Sequence, residues 1–167
     1  TGYGVQSKYL LPRLAALPEV GGPEAIAFAA WFGLQGGETR WGPFRVLPGH
    51  AHPYGVDVIG HHARAHGADV VLTLIDAWTQ RGVAEAVRPA ARLPWFPVDG
   101  EPLSRITAEA LAGAALPLVY SRWGLGVLAA AGIEAAYVPH AVEPAVFRVL
   151  VELEPEQLLA WRQTLAG

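Results

Sequence analysis

Residues 70–75, Val-Val-Leu-Thr-Leu-Ile, form an apolar run with no period-two alternation. A strand packed on one face alternates apolar and polar side chains, so an unbroken run of this length reads as a strand covered on both faces. Such cover is typical of a parallel sheet wrapped by helices, and the flanking chain has the matching alternation. Helical spacing appears over residues 4–17 (Val5, Tyr9, Leu10, Leu14, Leu17) and again at Val56, Ile59, Ala63 and His66, with Gly67 at a favoured helix stop. Apolar runs at 25–32, 44–47, 93–98, 116–120 and 135–138 read as further strands, with Gly36, Gly37 and Gly42 marking a loop. Further helices are predicted near 83–87 and 104–114, from Arg122 to a stop at Gly132, and around 157–165. The pattern predicts an α/β chain with a Rossmann-like, doubly wound parallel sheet. Pro94 and Pro97 bracket one strand, and each removes a ladder donor, which is at odds with placing that run inside the sheet.

Composition bounds the function classes. The 167 residues suit one domain, and 52% hydrophobic against 16% charged residues supplies a substantial core. The net charge of −3, with Lys8 the only lysine and no basic run, argues against nucleic acid as a partner. Without cysteine there are no disulfides, thiolate metal sites or cysteine nucleophiles, and without asparagine no N-glycosylation acceptor. No apolar run approaches the roughly 20 residues of a transmembrane helix, and no basic-then-apolar leader opens the chain. The expected location is the cytoplasm, or the periphery of a membrane. A chain that opens on Thr1 and holds no methionine is expected to be processed or part of a longer product.

In open parallel sheets, ligands bind beyond the carboxyl ends of the strands. Two of the four aspartates, Asp76 and Asp99, follow strand-like runs, as do Ser121-Arg122 and His140. Each has a plainer reading, since Asp and Ser also cap the helices that follow strands; convergence of four strand ends favours a site. Gly2, Tyr3 and Gly4 precede the first helix, where free N–H groups favour an anion, although the third glycine of the dinucleotide fingerprint is missing and an ordinary turn is the commoner explanation of such a loop. His62 and His66 share a helix face near His50, His52 and His61, but the glutamate of the zinc-hydrolase motif is absent, so solvated or hydrogen-bonded histidines are expected and no metal. Trp78 and Trp95 flank the Asp76 and Asp99 strand ends, where an aromatic face suits a sugar ring, though packing is the commoner role. There is no Gly-x-Ser-x-Gly nucleophile elbow.

Several segments together resemble one family. They are Thr1-Gly2-Tyr3-Gly4-Val5-Gln6, Phe32-Gly33-Leu34-Gln35-Gly36-Gly37, His52-Pro53-Tyr54-Gly55, Tyr120-Ser121-Arg122-Trp123-Gly124, and the run Val138-Pro139-His140-Ala141-Val142-Glu143-Pro144-Ala145-Val146-Phe147. The chain resembles the N-terminal domain of retaining glycosyltransferases with the GT-B fold, of the family-4 type with two Rossmann-like domains. The last run is similar to the family's Pro-Asn-Gly-Val-Asp-x-x-x-Phe segment near the interdomain linker, with His140 and Ala141 replacing Asn and Gly. Asp99 stands where the family often has a histidine.

The resemblance implies that residues 1–147 form the acceptor-side Rossmann-like domain. It implies that 148–167 lead to a C-terminal donor domain beyond Gly167, and that the family's first, central strand precedes Thr1. It further implies transfer of a sugar from a nucleotide-sugar donor to an acceptor hydroxyl with retention, no cofactor or metal, and an isolated chain that is inactive. Asp99 is the expected acceptor contact, with Gly2, Tyr3, Gly4, Asp76, Ser121, Arg122 and His140 lining the cleft. Two alternatives stand beside this: a non-catalytic Rossmann-like module that binds a glycan or partner, and a nucleotide-binding enzyme of another class with a phosphate on the Gly2–Gly4 loop.

Overall fold

A computed structural model describes residues 2–29 and 36–147, together with residues 156, 157 and 163. Expectations for Thr1, for the end of the 25–32 run, for part of the Phe32–Gly37 motif and for most of 148–167 lie outside the described residues. Glu156, Gln157 and Gln163 are helical and exposed.

The described chain is mixed α/β, with a four-stranded, all-parallel sheet of the kind a Rossmann-like domain requires. Helix α1 spans Gly2–Ala15, starting two residues before the predicted boundary, so Gly2, Tyr3 and Gly4 form its first turn rather than a loop ahead of it. Two short 3-10 turns, Pro18–Val20 and Pro23–Ala25, lead into β1 (Ala27–Ala29). The loop expected near Gly42 is the turn of a hairpin, β2 (Thr39–Trp41) and β3 (Phe44–Leu47); β2 carries no apolar run and was not foreseen. Then follow α2 (Ile59–His66), β4 (Val70–Leu74), a 3-10 turn Ala77–Gln80, α3 (Val83–Ala86), β5 (Ala91–Phe96), α4 (Arg105–Leu111), β6 (Leu118–Val119), α5 (Arg122–Ala130) and β7 (Ala136–Tyr137). Gly67 closes α2 at φ 70°, the left-handed conformation its sequence position called for.

Among the described residues the strands form two sheets rather than one. One has the order β1-β3-β2, with β1 parallel and β2 antiparallel to β3; the other has the order β4-β5-β6-β7. The 70–75 run therefore sits at a sheet edge. Val71, Thr73 and Leu74 are buried, but Val70 is 52% and Leu72 37% exposed, so the expectation of cover on both faces fails on one of them. Local pattern records that no charged residue interrupts the strand, whereas cover depends on what the rest of the chain places against it.

Pro94 lies inside β5, and hydrogen-bond direction explains how. Ala91 N–H donates to Asp69 C=O on the β4 side, while Arg92 C=O accepts from Ala115 on the other. Backbone groups alternate sides along a strand, so the donor that Pro94 lacks falls on the β6 side, whereas Pro117, whose C=O accepts from Ala136 N–H, lacks its donor on the β7 side. The β5–β6 ladder is accordingly confined to Trp95↔Leu118 and Phe96↔Val119, and the β4–β5 ladder runs on unbroken.

The core lies on one face of this sheet. Phe96 and Val119 pack with Leu111 of α4, Leu128 of α5 and Ala77, while Val71 packs with Ala63 of α2 and Val83 and Val87 around α3. Gly60 permits the α2–α3 approach, since a Cβ there would collide with the Ala86 carbonyl; Gly124 does the same for α5 against Val98.

Candidate functional site

The parallel ladder aligns the carboxyl ends of β4, β5 and β6, and the side chains just beyond them differ in what they do. Ser121 caps α5: its Oγ accepts from the Gly124 N–H at 2.9 Å, the plainer of its two readings. Asp76 occupies the corresponding position before the Ala77–Gln80 turn, but its carboxylate makes no cap. Its backbone carbonyl holds the turn instead, accepting from Thr79 N–H at 3.1 Å and Thr79 Oγ1 at 2.8 Å. The carboxylate is thereby left to face α1.

Tyr3, in the first turn of α1, meets it. Burial, then the charge of Asp76 and a hydrogen-bonding interaction with its carboxylate, and then the charge of Asp99, raise the Tyr3 hydroxyl above the usual tyrosine range. Tyr120, the residue after β6, joins the same group. Burial, then Tyr3 and Asp76, push its hydroxyl strongly upward. Both phenols thus keep their protons past neutral pH, Tyr3 near Asp76 and Asp99 and Tyr120 near Asp76.

Aromatic rings form the wall. The Tyr120 hydroxyl donates to the Trp95 carbonyl at 3.1 Å, and Trp95 Nε1–H donates to the Val138 carbonyl at 2.7 Å, tying the ends of β5, β6 and β7 together. The His140 ring lies 3.8 Å from the Tyr120 ring centroid and 4.9 Å, edge-on, from that of Trp95. Burial against these rings lowers the His140 pKa, which favours the neutral imidazole. Trp78, half-exposed just past Asp76, is packed edge-on against Tyr54.

Of the residues expected at the site, Tyr3, Asp76, Asp99 and His140 share this neighbourhood, and Gly2 and Gly4 lie in the helical turn that carries Tyr3. Arg122 is exposed, with its guanidinium over the Tyr137 ring at 4.8 Å. Tyr120, which sequence reasoning did not single out, joins this neighbourhood; the available signal was its place as the last residue of a strand-like run, one position before Ser121.

Two polar ties set α1 against the segment after β7. Gln6 Nε2 donates to Ala141 C=O at 3.0 Å, and Arg13 pairs with Glu143 at 2.7 Å, which holds the Glu143 carboxyl below its usual range. The resemblance-bearing segment around His140–Glu143 is therefore joined to the helix that presents Tyr3.

Of the histidines away from the site, His50, His52, His62 and His66 have hydrogen-bonding partners, and His61 lies against the His62 ring. His50 Nδ1 faces Asp57 at 3.0 Å, and His62 Nε2 donates to Pro48 C=O at 2.8 Å. His66 Nδ1 takes Arg45 Nη1 at 3.2 Å while its Nε2 donates to Ala25 C=O. Among the described residues no group of three or more His, Cys, Asp or Glu side chains is arranged to hold a metal, and no helix is long and apolar enough to cross a membrane. No protein-family model, curated protein or solved structure matches the chain.

Proposed function

We propose that this chain is the acceptor-side domain of a retaining, GT-B-type glycosyltransferase. The observation that carries the reading is the meeting of Tyr3, Asp76, Tyr120 and His140 beyond the carboxyl ends of parallel strands, where sheets of this class bind ligands. Carboxylate and phenol oxygens that can accept, and ring faces, in one place suit a sugar, whose hydroxyls donate and whose C–H faces pack on aromatic rings. The Val138–Phe147 motif supports the same reading. The all-parallel order β4-β5-β6-β7 is compatible with the Rossmann-like fold of such a domain.

In this reading Asp99 orients the acceptor hydroxyl, and Asp76 and Tyr3 hold neighbouring hydroxyls. The acceptor oxygen attacks the anomeric carbon on the face from which the nucleoside diphosphate leaves, and the hydroxyl proton passes to the departing phosphate oxygen. Stabilising that diphosphate falls to the donor domain, outside this chain. The nucleotide sugar enters as a substrate, and no metal or cofactor is assigned.

The test is an amide chemical-shift titration of the 167-residue chain with a panel of mono- and oligosaccharides and, separately, with uridine and guanosine diphosphates. Saccharides are expected to move the signals of residues 76, 99, 120 and 140, and Asp99→Ala to weaken binding by roughly tenfold, the loss of one charge-assisted hydrogen bond. Shifts centred on the Gly2–Gly4 turn with a diphosphate, and none with any saccharide, would overturn the reading in favour of a nucleotide-binding enzyme of another class.

A further inference from the structure

A second polar group lies inside the protein on the helix-covered face of the parallel sheet, and the proposed transferase chemistry does not use it. Arg92 is 1% exposed, and its guanidinium makes one hydrogen bond, from Nη1 to the Ala110 carbonyl of α4. Its Nε and Nη2 have no partner and essentially no contact with solvent. These two N–H groups form the side-on edge with which arginine takes an anion in two parallel hydrogen bonds. One further buried side-chain atom among the described residues lacks a partner, the Oγ1 of Thr73, 3% exposed on β4.

Strand register brings them onto one face. Val71 pairs with Arg92 and Thr73 with Pro94, and alternate residues of a strand share a face, so Thr73 and Arg92 project on the same side of adjacent strands. That side is closed over by α4 and by the Ala77–Gln80 turn, which packs on both α4 and β5. Gln80 of this turn is also buried, with only long contacts of 3.3 and 3.5 Å to its neighbour Thr79. All three unpartnered groups can donate a hydrogen bond, and one carries a positive charge. Burial alone lowers the Arg92 pKa, to about 10, with no carboxylate contributing. The nearest acidic residue along α4, Glu109, is engaged at the surface by Arg81 and Arg105. Leaving a charged group and three donors dry and unpaired is strongly unfavourable, and native interiors resolve such groups with a partner.

We propose that Arg92 Nε and Nη2, with Thr73 Oγ1, form an internal site for a small monovalent anion of halide size. Solvent exclusion of all three donor atoms favours a compact ion that enters without its water shell. The single positive charge without a carboxylate sets the sign.

The experiment is thermal unfolding of the 167-residue chain in chloride, in bromide and in gluconate, an anion too large for the enclosure, at constant ionic strength. A ligand bound to the folded state alone raises the melting temperature as its concentration climbs, by about 5 °C once chloride is about a hundredfold above its dissociation constant. The expected result is such a rise in chloride and bromide relative to gluconate, its loss in Arg92→Met and its reduction in Thr73→Val. Thr73→Val keeps the guanidinium and carries the comparison if Arg92→Met does not fold. Equal melting temperatures in halide and gluconate would overturn the site in favour of enclosed water, as would a halide effect that survives both substitutions.

Discussion

At the residue scale, similar positions in sequence carry different duties. Ser121 and Asp76 both follow a strand and precede a helical turn, yet Ser121 is used as a cap and Asp76 is not, because the Asp76 carbonyl already takes both Thr79 donors. The tyrosines that face Asp76 should show it. Their folded pKa values are raised, so the stability they contribute is fully present below the ordinary tyrosine value of about 10 and is lost as pH rises through the folded values. Spectrophotometric titration is expected to reveal late-ionising phenols, one fewer in Tyr3→Phe and one fewer in Tyr120→Phe; loss of amplitude only from the ordinary range near about 10 in both variants would place these hydroxyls in water. His140 has the opposite sense. Its folded pKa is lowered, so the stability it contributes is present above about 6.5 and is lost as pH falls through the folded value. Tryptophan fluorescence is expected to change in that acid window as the cation forms beside Trp95, and His140→Phe to remove the change.

At the element scale, close approaches and caps decide which helices sit where. Adding a Cβ at Gly60 drives it into backbone, which has little room to give, so Gly60→Ala is expected to cost about 1–3 kcal/mol in denaturant unfolding. A cost below a few tenths would mean that α2 and α3 separate readily. Ser104 Oγ accepts from Thr107 N–H at 3.1 Å at the start of α4, so Ser104→Ala is expected to cost about 1 kcal/mol by the same measurement. Much of this layer was legible. The Gly67 stop, the helix after Ser104 and the Arg122–Gly132 segment depend on bonds within a few residues. The length of β6 was not, because it depends on where Pro94 of the neighbouring strand falls in the ladder, a matter of register between distant segments.

At the scale of the whole molecule, the parallel sheet and its helices bury the core while α1 buries no residue, its recorded polar ties reaching the 141–143 segment. Opening free energies follow burial, so amide hydrogens of α1 are expected to exchange at least about a hundredfold faster than those of β5 and α5, and faster again in high salt as Arg13–Glu143 is screened. Comparable protection throughout would show that α1 belongs to the core. The α1 attachment matters because it is what carries Tyr3 to Asp76. The amino-acid sequence by itself determined the α/β class, the approximate places of β3 to β7 and the strand-end positions of Asp76, Asp99, Ser121 and His140, since apolar runs, helical spacing and turn residues act over a few positions. Only the tertiary structure decided that the strands form two sheets, that Val70 and Leu72 lie open, that Tyr120 joins the site and that Arg92 is enclosed. Each of those outcomes depends on which distant segment supplies cover, charge or a hydrogen-bond partner, and such pairings leave no local pattern.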